Sequence, residues 1–243
     1  YENIYKLEPG CILEIDEQAP DNPSATPLHS SSDKTITFES MALDRWYDLR
    51  SVVESQTELF KNESEATEIL ESELKTVINL QSISDVPLGA FLSGGVDSST
   101  IVSLMQQENS QPIKTFTIGF EDPNFDESKF ALEVANHIGT DHSELTVTAD
   151  DALSIIPNLP DLYDEPFADS SQIPTYFVCK SAKQDVTVSL SGDAGDELFG
   201  GYNRHITAPS LWNKVNWLPF YARRALGSSI SKIPSSMWDN ANN

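Results

Sequence analysis

Four short strand-like runs, at residues 88–92, 114–120, 143–148 and 186–190, alternate with segments of helical length, and few folds accept that alternation. Strands joined by connections this long cannot be hairpin neighbours. They need crossovers, and crossovers build a mainly parallel sheet with helices on both faces. The intervening helices are expected near 98–108, 127–138, 150–156 and 172–183. Another is expected over SEATEILESELKTVINLQSI, where Ala66, Ile69, Leu70, Leu74, Val77, Ile78 and Leu80 mostly share one helical face, with Ser64 as its cap. The sequence thus reads as an α/β unit spanning residues 62 to 190, preceded by a short β segment.

The flanks read differently. YKLEPGCILEID, residues 5–16, is expected as a hairpin or bent strand turning at Pro9-Gly10, with Cys11, Leu13 and Ile15 alternating. A polar Pro- and Ser-rich stretch runs to Asp33, and KTITFES then reads as a second short strand. Residues 39–62, polar and charged around Trp46-Tyr47, read as a linker. The last forty residues, rich in Trp, Leu, Ile and Arg, are expected to be helical and packed. Because the chain starts at Tyr1 and opens directly in strand-like sequence, it is expected to be a piece of something longer.

Charge and cysteine usage narrow the function. With 15 basic against 38 acidic residues, a net charge of −23 and no basic run to form a patch, the composition argues against nucleic acid as a partner. The acidity reads as a solvated surface, with a salt-rich habitat as the alternative. Cys11 and Cys179 fit no metal or redox spacing and read as reduced, buried thiols of a cytoplasmic protein. No apolar stretch approaches a membrane span, no basic-then-apolar leader opens the chain, and Asn62-Glu63-Ser64 is a chance glycosylation triplet.

Two strand ends carry the chemistry. AFLSGGVDSSTIV, residues 90–102, takes a buried strand through Ser93, Gly94 and Gly95 into a helix. Paired glycines let backbone N–H groups approach an anion, and the helix adds its free N–H groups and positive dipole end. Ser93, Ser98 and Ser99 offer hydroxyls, while Asp97 beside phosphates makes sense through Mg²⁺. Taken alone, the loop reads equally well as a tight turn with Asp97 capping its helix. The second stretch, VTVSLSGDAGDELFGGY at residues 186–202, shifts that balance. It too ends a buried strand in Ser-Gly, and it crowds Asp193, Asp196 and Glu197 into five residues, which is costly unless a cation is shared. Two such loops imply a nucleotide held between them with bridging Mg²⁺.

The Ser-Gly-Gly-x-Asp-Ser loop resembles the pyrophosphate loop of the ATP pyrophosphatases. The set VPLGAFLSGGVDSS, TFTIGF, DEPFADSSQIPTY and LSGDAGDELFGGYNRH is similar to the synthetase domain of the glutamine-dependent asparagine synthetases, of the bacterial B type that includes relatives from polysaccharide clusters. The resemblance implies an adenine nucleotide alpha-hydrolase-like fold. It implies ATP and pyrophosphate contacts from Leu92, Ser93, Gly94, Gly95, Asp97, Ser98, Ser99, Ile118, Ser191 and Gly192, with Leu92 and Ile118 meeting adenine through their backbone. Asp97 and Asp196 match Mg²⁺ ligands. Asp193 stands where many members carry a glutamate important for forming the aspartyl-adenylate.

The implied reaction is ATP-dependent amidation of L-aspartate with release of AMP and pyrophosphate, its ammonia drawn from glutamine. Two departures from the family pattern bear on this. The glutaminase domain begins with a catalytic cysteine, whereas residue 1 here is Tyr and Cys11 lies mid-strand without a catalytic role. A lysine directed at pyrophosphate lies beyond the region covered. Residues 1–49 are therefore expected to be the last strands of a glutaminase domain and a linker, and residues 50–243 the ATP-binding portion of the synthetase domain. The acceptor stays open, with a β-lactam synthetase or a sugar-acid amidotransferase as rivals, and so does a homodimer. A nucleotide module without turnover is disfavoured by the joint presence of Asp97, Asp193 and Asp196, and a purely structural domain ranks last.

Overall fold

A computed structural model of the protein describes residues 4–17, 35–38, 40–55, 60–123, 126–163 and 169–231. The chain divides into two units, Tyr1–Glu68 and Ile69–Asn243. In the second, strands β4 (Leu88–Phe91), β5 (Lys114–Phe120), β6 (Asp141–Val147) and β7 (Val188–Leu190) form one parallel sheet in the order β6-β5-β4-β7. Helices α3 (Val96–Gln107), α4 (Ser128–Ile138), α5 (Ala149–Ile155) and α7 (Gln172–Ala182) occupy the connections, and a short helix α6 (Leu159–Leu162) follows α5. Expected and observed elements agree to within two residues nearly everywhere.

Period-two alternation sends the strands' side chains to opposite faces. Ala90 and Leu92 pack with Ile78, Val102, Met105, Ala131 and Ala135, which belong to helix α2 (Glu63–Gln81), α3 and α4. Phe91 and Phe116 instead meet Val178, Ala182 and Val186, and the cluster of Val147, Ile155 and Phe177 continues that layer with Ile118 and Phe120. Helices thus cover both faces, as the alternation required. Gly89 is where the two faces leave no room for a side chain, since a Cβ there would fall 2.8 Å from the Phe116 ring. At the amino ends of the strands Lys114 bridges Asp141 (3.0 Å) and Asp185 (3.4 Å), tying β5 to β6 and to the approach to β7.

The cap of α2 differs from expectation. The helix starts at Glu63, so Asn62 takes the cap position and its Oδ1 accepts from Glu65 N–H at 2.9 Å. Ser64, already inside the first turn, donates to Glu68 instead.

The first unit holds an antiparallel sheet, β1 (Cys11–Ile15), β3 (Met41–Arg45) and β2 (Ile36–Phe38), in the order β1-β3-β2. Its middle strand and the helix α1 (Leu49–Ser55) both fall in residues 39–62, read from sequence as a linker, which corrects that reading. Met, Ala, Leu and Arg favour helix intrinsically, but pairing on both sides turns MALDR into a strand, with Leu43 buried opposite Leu13 and Ile36. The segment before Pro9-Gly10 is not a strand, so β1 pairs with β3 rather than forming a hairpin with residues 5–8.

Residues 195–230 are largely helical, as α8 (Gly195–Phe199), α9 (Asn203–Val215) and α10 (Phe220–Ile230), but α9 and α10 are not packed as expected. Neither contributes a buried residue, and Trp212, Trp217, Phe220 and Tyr221 are exposed. Apolar composition predicts burial only where a second surface exists to receive it. Among the described residues no helix is long and apolar enough to cross a membrane.

Candidate functional site

The first loop leaves β4 at its carboxyl end, where ligands collect in parallel sheets. Leu92, fully buried, donates its N–H to Phe116 O at 3.0 Å, so the strand's last hydrogen bond reaches the loop's threshold. Gly94 then adopts φ +83° and lies flat on the first turn of α4. A Cβ there would sit 2.7 Å from both Ala131 N and Phe130 C. Only glycine satisfies the dihedral and the contact together. Gly95, by contrast, has nothing closer to a virtual Cβ than Ser93 Oγ at 3.3 Å, leaving its face open to a ligand.

Inside the loop Ser98 Oγ accepts from Ser93 N–H (3.2 Å), pairs with Ser93 Oγ (2.9 Å) and reaches Gly95 O (3.3 Å). Gly95 caps α3 without any side-chain hydrogen bond, which removes the alternative of Asp97 as a capping residue. Asp97 sits in the first helical turn and Ser99 follows, its hydroxyl buried without a partner among the described residues.

The second loop leaves β7, the strand directly beside β4 and parallel to it. Ser191 Oγ accepts from Asp193 N–H at 3.0 Å, Ala194 takes a left-handed conformation (φ 73°), and α8 starts at Gly195. Ala194 is the one non-glycine residue with positive φ among those described, a strain of the order of 1–3 kcal/mol.

The two loops touch. A Cβ on Gly192 would lie 2.7 Å from Ser98 N, and one on Gly195 would lie 2.5 Å from the Asp97 carboxylate. Gly192 therefore rests on the amino end of α3, and Asp97 faces the start of α8. Sequence reasoning placed these residues at one nucleotide, and the sheet order brings Ser93–Ser99 and Ser191–Asp196 to one edge. Ile118 stands on the neighbouring strand, its side chain in the layer opposite that of Leu92.

Two features were not read from the sequence. Glu197 accepts from Tyr202 O–H, a hydrogen bond that holds its carboxyl below the usual range, with the nearby Arg204 charge adding to this. Arg204 lies over the Tyr202 ring at 4.2 Å, so this carboxylate fastens α8 to α9 instead of facing the loop. Gly119 at the end of β5 is closely flanked by Glu144 Oε1, Asp126 Oδ1 and Ser128 Oγ. The hydrogen bonds from the Ser128 side chain and backbone hold Asp126 below the ordinary carboxylate range. Asp164 to Ala168 of the DEPFADSSQIPTY motif lie outside the described residues.

The donor set suits ATP with Mg²⁺. An anion would meet an open glycine, exposed Ser93 and the start of α3. Among the described residues no three His, Cys, Asp or Glu side chains gather as a metal-holding group. Mg²⁺, however, is commonly held by one or two carboxylates completed by phosphates and water, a pattern that Asp97, facing the start of α8, fits, whereas the Asp196 carboxylate lies against Gly201 beyond the other end of α8.

Residues 70–240 match the model of the asparagine synthase family. Asparagine synthetase [glutamine-hydrolyzing] 1 of Bacillus subtilis is 44% identical over 126 residues, covering 52% of this chain and 20% of the relative. The putative asparagine synthetase 2 of Methanocaldococcus jannaschii is 43% identical over 158 residues, 65% of this chain and 30% of the relative. Asparagine synthetase B of Escherichia coli is 32% identical over 182 residues, 68% of this chain and 31% of that protein. The chain therefore spans between a fifth and a third of the length of these curated relatives. Among solved structures it is similar to an NMN synthetase from Francisella tularensis, with TM-score 0.41 and 13% identity over 57% of this chain and 59% of the other.

Proposed function

The chain belongs to the asparagine synthase family, and on that premise we propose that it forms the nucleotide-binding part of an enzyme that amidates L-aspartate to L-asparagine at the expense of ATP. The observation that supports this best is the contact between loops: β4 and β7 are parallel neighbours, and Gly192 lies against Ser98 at their carboxyl ends. A nucleotide laid across that edge meets Leu92 and Ile118 on the adenine side. Its phosphates meet Ser93, Gly94, Gly95 and Ser99 on one loop, and Ser191 and Gly192 on the other. Asp97 and Asp196 would hold Mg²⁺, which neutralises phosphate charge. Asp193 stands by the acceptor carboxylate.

In this reading the aspartate β-carboxylate attacks the α-phosphorus and pyrophosphate leaves, forming a β-aspartyl-adenylate. Ammonia then attacks the acyl carbon and AMP departs. The protein's contribution is positioning and charge neutralisation by loop donors, the effects that carry phosphoryl and adenylyl chemistry. Glutamine hydrolysis in a partner domain supplies the ammonia, and residues 1–49 read as the last strands of that domain and a linker. The bacterial B type with its polysaccharide-cluster relatives, a cytoplasmic location and a homodimer complete the reading.

Aspartate-dependent exchange of labelled pyrophosphate into ATP, measured on the protein that carries this chain, tests it. Exchange is expected with L-aspartate and to be lost in Asp97→Ala. Exchange with another carboxylic acid and none with aspartate would replace the acceptor, and ATP failing to bind would remove the nucleotide reading altogether.

A further inference from the structure

We propose that Asp126 is a positioning residue for the first loop: it fastens the amino end of α4 to the carboxyl end of β5, and α4 in turn supports Gly94 from behind. This rests on the ATP-binding reading of the loop and goes beyond it, because it names a residue outside both loops on which that site depends.

Helix α4 starts without a cap of the usual kind. Glu127 stands at the cap position and makes no side-chain hydrogen bond to the first turn. Ser128 N–H is one of the helix donors that has no intrahelical partner, and Ser128 is buried. Asp126 supplies what Glu127 does not. Its Oδ1 accepts from Ser128 N–H at 3.1 Å, and its carboxylate also accepts from the Ser128 hydroxyl and from Phe120 N–H. One carboxylate thereby joins the last residue of β5 to the first residue of α4. Gly119 leaves room for it, since a Cβ there would fall 3.1 Å from both Asp126 Oδ1 and Ser128 Oγ. Glu144 Oε1 flanks the same glycine at 3.0 Å, and Asp126 stays ionised beside it because these donors and the Lys129 charge stabilise it.

The part of α4 fixed in this way is the part that the first loop rests on. Phe130 and Ala131 donate their N–H groups to Glu127 O at 3.1 and 3.2 Å, and their backbone is the surface against which Gly94 lies. Ala131 is fully buried in the cluster that holds Leu92, so this turn and the end of β4 share one packed layer. Close packing transmits displacement. A first turn freed from β5 would leave Gly94 without its support, and the loop would have to be ordered again on binding, at a cost in affinity.

Amide hydrogen exchange and calorimetric titration of ATP in excess Mg²⁺ test this, on the protein that carries this chain as wild type, Asp126→Ala and Asp126→Asn. In Asp126→Ala, exchange is expected to accelerate at Phe120 and Ser128, which lose their acceptor, and also at Ser93, whose N–H is held by Ser98 Oγ inside the first loop. ATP is expected to bind about tenfold more weakly. Asp126→Asn keeps an acceptor oxygen and is expected to lie between the two on both measures, and it carries the test should the alanine variant fail to fold. Acceleration confined to residues 120 and 128 would mean that Asp126 caps a helix and positions nothing, and unchanged ATP affinity would mean the same. Either result overturns the proposal. Lys114→Gln, which cuts the bridge at the amino ends of the same strands, controls for general loosening. It should leave ATP affinity as in wild type, and an equal loss there would also overturn the proposal. If wild type fails to bind ATP while exchange at Ser93 still responds to Asp126→Ala, the nucleotide reading falls although the positioning stands, so the two failures are told apart.

Discussion

At the end of β4 the loop is held from within by paired serine hydroxyls and from behind by α4, against which Gly94 lies with no space for a methyl group. At the end of β7 the loop has a single internal side-chain hydrogen bond, from Asp193 N–H to Ser191, exposed residues at 193 and 194, and a left-handed alanine. Both leave parallel neighbours through Ser-Gly, so strand position does not explain the contrast. Under the proposed function the difference answers to the separate tasks of the two loops. A loop that receives phosphates works best pre-organised, because ordering it on binding would cost affinity. A loop that brings carboxylates to a cation and an acceptor gains from being able to adjust. The first loop is packed from within and from behind, and the second rests on it through Gly192.

The largest break in that comparison should come from Gly94→Ala. The substitution forces a Cβ into the backbone of α4 at a φ that L-residues avoid, and strain plus overpacking together cost roughly 3 kcal/mol. A large drop in the denaturant midpoint is expected. A midpoint near wild type would show that the first loop yields as easily as the second.

Gly192→Ala comes next and probes the contact itself. Its backbone is not in the left-handed region, so the cost is steric alone, about 1–2 kcal/mol as the loops part. Nucleotide affinity should fall by about tenfold or more while the fold survives, because the contact joins two parts of one site. Equal affinity in thermal-shift and calorimetric titrations would mean that the loops bind separately.

How far the sequence foretold this follows from the kind of force involved. The parallel sheet was legible because each strand of Ile69–Asn243 is a short apolar or alternating run bounded by glycine or polar turns, and connection length alone dictates crossovers. That Asp97 and Asp196 belong to one edge was legible for the same reason. The strand MALDR was not, since its residues favour helix and only its two partners make it a strand. Helix α1 did carry a local signal: Asp48 accepts from Arg50 N–H and Ser51 O–H, an N-cap that drives its carboxyl below the usual range. The polar texture around it concealed that cap. Glu197 was counted among the acidic loop residues, yet a tyrosine five positions later claims it, and no spacing rule announces such a pair. The burial of Ser98 beside exposed Ser93 is likewise a product of packing.

A smaller effect, opposite in sign, is expected from Ala194→Gly. If the left-handed residue is strain carried by the second loop, glycine relieves it and raises stability by about 1 kcal/mol. The gain is local, so chemical denaturation should register it while exchange rates in the first loop stay unchanged. A loss of stability would show that Ala194 is held at no cost and that the second loop is as well determined as the first.

The smallest effect separates both loops from the sheet that carries them. His142, near the amino end of β6, has Nδ1 2.9 Å from Thr115 Oγ1, which also pairs with Thr140, while its Nε2 is buried without a partner among the described residues. Burial pushes its pKa below the ordinary value, and the charge of Glu144 opposes that only in part. The unfolded chain therefore takes up a proton more readily than the folded one. Stability from this residue is intact above the unfolded value, about 6.5, and is lost as the pH falls from there through the lower folded value. Urea midpoints measured from pH 8 down to pH 5 should decline, and His142→Gln should flatten part of that decline. Because the residue lies away from the carboxyl edge, nucleotide affinity at pH 7.5 should be the same in the variant and in wild type. A variant that keeps the full acid sensitivity, or that loses ATP affinity at pH 7.5, would show that the two ends of the sheet are not separable. The contrast between the loops would then have to be sought in the sheet beneath them.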